Sequence, residues 1–157
     1  LCAEHEVALI LNTTAFSQSA LDEPGDHALA GDIPVLQLVL SGGNEESWRA
    51  DPHGLAPRDI AMHIAMPEVD GRIITRAISF KGLGHRCAHT QCDVVHYQAH
   101  AERIDFVAEL ARRWCRLRTL ANTDKRLALI LAHYPTREGR LGTGVGLDTP
   151  ASVIAIL

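Results

Sequence analysis

Two stretches carry the residue types that chemistry needs. In Pro67-Glu68-Val69-Asp70-Gly71-Arg72, two carboxylates stand two residues apart between a proline and a glycine. An extended backbone there projects both to one side. Paired carboxylates raise one another's pKa and can accept protons or hold a hard divalent ion near neutral pH. The plainer alternative is a solvated turn in which Arg72 neutralises Asp70, and spacing alone favours it. His63, on the apolar face of the preceding helix, is an accessory candidate, although a lone histidine there is more often a packed boundary residue.

The second stretch runs from His133 to Leu147 and has four glycines in the eight positions from Gly139 to Gly146. Such a loop lets the backbone take positive φ and approach a ligand closely. It matches neither G-x-x-x-x-G-K-[ST] nor G-x-G-x-x-G, so both nucleotide fingerprints fail. A glycine-rich turn that binds nothing is the alternative. A third cluster, His85, Cys87, His89, Cys92, His96 and His100, draws attention as a metal site. Imidazole and thiolate suit zinc or cobalt, but the spacing fits no standard finger, and a variable surface hairpin is the preferred reading.

These stretches need a scaffold. Glu6–Asn12 and Val35–Leu40 read as buried strands, each closing in small polar residues: Asn12, Thr13, Thr14 and Ser17 after the first, Ser41-Gly42-Gly43-Asn44 after the second. Capping is the favoured role for the first group. Glu45-Glu46-Ser47-Trp48 starts a short helix, and Pro57–Met66 forms the next, ended by Pro67. Arg72–Phe80 reads as a strand, Lys81–Gln91 as loop, and Cys92–Tyr97 as a second strand pairing with the first as a hairpin. His100–Leu120 is a long packing helix with a basic outer face. Leu127–Ala132 reads as a strand buried on both faces, and Pro150, behind Asp148 or Thr149 as N-cap, opens a helix. In an open α/β sheet, the loop leaving the carboxyl end of a strand is where ligands bind.

The expected fold is therefore α/β: an open, mostly parallel sheet flanked by helices, with a small β-hairpin insertion. Residues 1–98 carry the acidic motif and the hairpin, 99–125 a packing helix and linker, and 126–157 the start of a second α/β unit. With 157 residues, 46% hydrophobic and 22% charged, the composition is globular. A net charge of −4 argues against a nucleic-acid surface or an anionic membrane as partner. No apolar stretch approaches the roughly 20 residues of a membrane span. Four irregularly spaced cysteines read as reduced thiols, which points to the cytoplasm. The ends read as those of a piece of a larger multidomain chain.

Leu129–Ser152, with its His133-Tyr134-Pro135-Thr136-Arg137-Glu138-Gly139-Arg140 core and Val145-Gly146-Leu147-Asp148-Thr149-Pro150, resembles the large subunit of aerobic cobaltochelatase, the CobN type. Gly54–Met62 and Met66–Arg72 are similar to the same family and to its cousin, the large subunit of magnesium chelatase. The resemblance covers nearly the whole chain and is weakest between Lys81 and Gln91. It implies ATP-dependent insertion of Co2+ into hydrogenobyrinic acid a,c-diamide on the aerobic cobalamin route. Cobalt is then substrate, ATP is hydrolysed by smaller AAA+ and integrin-type partner subunits, and no tightly bound cofactor is expected. It also implies roles: Glu68 as proton acceptor or metal hand-over, Asp70 as its electrostatic partner, and His63 or His133 as accessory base or ligand. Arg137, Arg140 and the amides of Gly142, Gly144 and Gly146 would hold the ring's carboxylates. The alternatives are magnesium insertion into protoporphyrin IX, and a non-catalytic α/β scaffold with at most a zinc in the hairpin.

Overall fold

The computed structural model describes residues 4–18, 32–131, 142 and 148–156. The chain divides into two compact units, Leu1–Leu120 and Ala121–Leu157. In the first, one sheet runs in the order β1 (Ile10–Asn12), β2 (Val35–Leu40), β3 (Ile73–Arg86), β4 (Asp93–Ala99). The first three strands are parallel, and β4 returns antiparallel to β3. It is an open, mostly parallel sheet with helices on both faces and a hairpin at its edge.

The centre is β2, buried at successive positions from Leu36 to Val39. Because side chains alternate across a strand, its neighbours divide into two layers. Leu36 and Leu38 meet Val107 of α4 (Ala101–Thr119), with Leu110, Ala111 and Trp114 packed alongside. Val39 joins Ala77 and Phe80 on the other face, under Trp48, Leu55 and Ile64. Trp48 belongs to α1 (Glu45–Ala50), which Asn44 caps by accepting from the Ser47 amide at 2.7 Å. The outer face of α4 is basic, and hydrogen bonds from Arg112 and then Arg113 hold the Glu109 carboxyl down to about 2.

Four expectations are corrected. The first strand is only Ile10–Asn12 rather than Glu6–Asn12. Lys81–Gln91 is not a loop: β3 continues to Arg86, because the ladder with β4 holds from Ser79 opposite Ala99 to Arg86 opposite Asp93. Pro67 does not end its helix. Pro57–Ile60 (α2) passes through a π turn, Ala61–Ala65, into α3 (Met66–Val69). In the π turn the Met66 amide bonds back to Ala61, which shifts the ladder where a proline without an amide must fit. Finally, the part of Leu127–Ala132 that is described, Leu127 to Leu131, is neither strand nor buried, with Ile130 91% exposed. Within the described residues of its unit there is no strand for it to pair with, and a lone strand gains neither hydrogen bonds nor cover.

In the same unit Asp148 caps α5 (Thr149–Ile156), accepting from the Ala151 amide at 3.1 Å. Gly142 takes φ +64, the left-handed region that favours glycine.

Phe80, 1% exposed and with its ring centroid 4.9 Å from that of Trp48, is the largest fully enclosed side chain among the described residues. Phe80→Ala should cost about 3–5 kcal/mol. Denaturant unfolding followed by tryptophan fluorescence checks this, with a lower midpoint and an altered native Trp48 signal as the expected result.

Candidate functional site

The acidic motif is built differently from an extended pair. Glu68 lies on α3 and is exposed, whereas Asp70 is the residue that closes it. Positions two apart on a helix face different ways, so the two carboxylates do not act as a pair projecting together. Gly71, at φ +68, supplies the left-handed turn that ends the helix, its amide bonding Glu68 O at 2.9 Å.

Asp70 turns inward. One of its oxygens accepts from Arg72 at 2.6 Å and from the Gln18 amide at 3.0 Å, and the other accepts from Ser17 Oγ at 2.6 Å. Both side chains of the Arg72–Asp70 pair are enclosed, at 0% and 1% exposure, so the arginine neutralises Asp70 inside the protein rather than in a solvated turn. Arg72 also donates to Gln37 Oε1 at 3.0 Å and to Thr14 O at 3.2 Å, while its Nε has no partner among the described residues. Asn12 donates to the same Gln37 oxygen. The polar residues after β1 thus serve this network. Both Asp70 oxygens are filled by donors.

Loss of either partner leaves a buried charge alone. Asp70→Asn and Arg72→Met should each destabilise by about 3–5 kcal/mol, while Asp70→Leu with Arg72→Met together should recover part of the loss. Chemical unfolding of the three variants measures it. Additive losses would show that the two groups are not coupled.

A second constellation lies at the carboxyl end of β2. Asp59, 5% exposed, accepts from Ser41 Oγ at 2.6 Å and from the Gly42 amide at 3.0 Å, and the Gly43 amide donates to Ser41 Oγ at 3.1 Å. The turn and the start of α2 are locked together by one carboxylate. Beside them opens a cleft of about 340 Å³, lined among others by Arg58, Met62, His63, Lys81 and Tyr97. His63 sits in the π turn, with Nδ1 enclosed and without a hydrogen-bond partner among the described residues. Met62 O, in the same turn, accepts from the amide of Phe16, whose φ of +66 is unusual for a bulky side chain.

The far wall is the hairpin. Since β3 runs well past the end of β2, Lys81 and Tyr97 face each other across the ladder, and the Lys81 amide bonds Gly43 O at 2.8 Å. Arg58, Asp59 and Lys81 were not singled out as site residues from the sequence. The available signal was the Ser41-Gly42-Gly43 exit from a buried strand.

His85, Cys87, His89, Cys92, His96 and His100 do not gather. Among the described residues no three His, Cys, Asp or Glu side chains converge as a metal site. His100 instead lies 3.5 Å from Glu45 and edge-on to Phe80. Of the glycine-rich candidates, Gly142 holds a left-handed position in the second unit. His133, Arg137, Arg140, Gly144 and Gly146 lie outside the described residues.

An open sheet covered on both faces, with a cleft at the carboxyl edge of its central strand, places the molecule among α/β proteins with edge sites. Residues 1–157 match the family described as CobN/Magnesium Chelatase, and the chain belongs to it. It is 56% identical to the aerobic cobaltochelatase subunit CobN of Pseudomonas aeruginosa over 97% of this chain and 12% of that protein. A magnesium-chelatase subunit from Chlorobaculum parvum is 32% identical over 80% of this chain and 9% of its own length. The fold is similar to the catalytic subunit of cobaltochelatase from Mycobacterium tuberculosis, with TM-score 0.74 and 36% identity, covering 96% of this chain and 13% of that one. The chain therefore spans only about an eighth of the cobaltochelatase relatives it matches. No helix among the described residues is long and apolar enough to cross a membrane.

Proposed function

We propose that this chain is part of a cobaltochelatase large subunit, which inserts Co2+ into hydrogenobyrinic acid a,c-diamide in aerobic cobalamin synthesis. ATP is hydrolysed on smaller AAA+ and integrin-type subunits. The observation that carries this reading is the 56% identity over 97% of the chain with a cobaltochelatase subunit, against 32% over 80% with a magnesium-chelatase subunit.

Chelation requires the macrocycle's N–H protons to leave and the metal to shed water. A group that takes such protons must be reachable. Glu68 is exposed, while both Asp70 oxygens are already hydrogen bonded, so Glu68 is the proton acceptor or metal hand-over group in this proposal. His63 faces the cleft as accessory base. His133, Arg137, Arg140, Gly142, Gly144 and Gly146 remain proposed contacts to metal and ring.

The test uses the full-length subunit with its partner subunits and ATP. Cobalt should enter the corrin substrate, and magnesium should not enter protoporphyrin IX; the opposite preference sinks the assignment. Glu68→Gln should lower the insertion rate by roughly 100-fold or more while ring affinity is retained, the usual loss when a positioned base is removed.

A further inference from the structure

The cleft beside the Ser41–Gly43 turn has a charge balance the acidic motif does not explain. Arg58 and Lys81 both line it, and neither makes an ion pair among the described residues. Among the described residues the only acid in its lining is Asp59, and the Asp59 oxygens are occupied by Ser41 Oγ and the Gly42 amide. A carboxylate so engaged offers little to a cation. Two cationic side chains and an imidazole edge remain for whatever enters.

Shape adds to charge. Lys81 is held with its ammonium 5.7 Å from the Tyr97 ring centroid, a cation–π contact that orients it without neutralising it. Tyr97 and Met62 add apolar surface to the same lining. The volume of about 340 Å³ lies near the lower end of small-molecule pockets, which run from roughly 300 Å³ upward. It admits an acidic side arm and one edge of a ring rather than a whole tetrapyrrole.

We infer that this cleft is a carboxylate-binding subsite, in which Arg58 and Lys81 hold one acidic side arm of the macrocycle and Tyr97 lies against the adjoining ring edge. This assignment rests on the cobaltochelatase reading. Arg58 provides a planar fork suited to bidentate contact, and Lys81 a point charge from the opposite wall. The arm would fix the ring's position relative to the groups that take its protons, so the loss should fall on binding more than on turnover.

Two measurements on the full-length subunit test it. In the first, tetrapyrrole affinity is read by quenching of protein fluorescence, for wild type, Arg58→Ala/Lys81→Ala, and Arg58→Lys. The double variant should bind the carboxylated ring roughly tenfold to a hundredfold more weakly, the effect of losing charged hydrogen bonds. It should bind the fully esterified ring as wild type does, and Arg58→Lys should restore part of the affinity. In the second, acylation of Lys81 by an N-hydroxysuccinimide ester is followed by mass spectrometry with and without benzenehexacarboxylate as a plain polycarboxylate probe. Protection of Lys81 is expected. Equal binding of the carboxylated ring by wild type and double variant, or no protection by the probe, overturns the subsite. Protection by the probe without any tetrapyrrole binding to wild type keeps an anion site and overturns the chelatase reading instead.

Discussion

The buried contact between Arg72 and Asp70 is the constraint on which the rest of the first unit depends. It joins three pieces far apart in the chain: the exit of β1 through Ser17 and Thr14, the middle of β2 through Gln37, and the end of α3. Burying two charges is costly, and attraction repays it only when the remaining polar atoms find partners. Here most do. Ser17, Gln18, Gln37 and Thr14 surround the pair, so the network specifies one arrangement of helix end and sheet.

A second carboxylate does the same at the other end of that helix. Asp59 pins its start to the turn leaving β2, as Asp70 pins its finish beside β3. Between the two anchors lies the π turn that carries Met62 and His63. Single π turns are costly in hydrogen-bond geometry and are frequent at functional sites. In this molecule the turn admits Pro67, frees Met62 O for the Phe16 amide and leaves His63 on the cleft.

The cleft itself comes from unequal strand lengths. β2 stops at Leu40 while β3 runs on to Arg86, and the antiparallel return of β4 stiffens the overhang. The parallel part of the sheet supplies the floor and the hairpin supplies a wall. Membership of the CobN/magnesium chelatase family gives this edge its context, since the chain is a small portion of its relatives.

What could be read along the chain was whatever depends on near neighbours. The apolar run of β2, the three-and-four spacing of α4, the Asp148-Thr149-Pro150 helix start and the family's dense motifs are local, and each was legible. Where a feature depends on a distant partner, local pattern misled. Leu127–Leu131 has the composition of a buried strand but no strand to pair with among the described residues of its unit. Spacing alone favoured a solvated turn in which Arg72 neutralises Asp70, but folding buried that pair against Ser17, 53 positions away, and left Glu68 in solvent. The Asp59 lock spans 18 positions, and Lys81 meets the cleft only because β3 outruns β2. Side-chain pattern selects local conformation through sterics and periodicity. Which charges are buried, paired or left open is decided by long-range packing, and that required the tertiary structure.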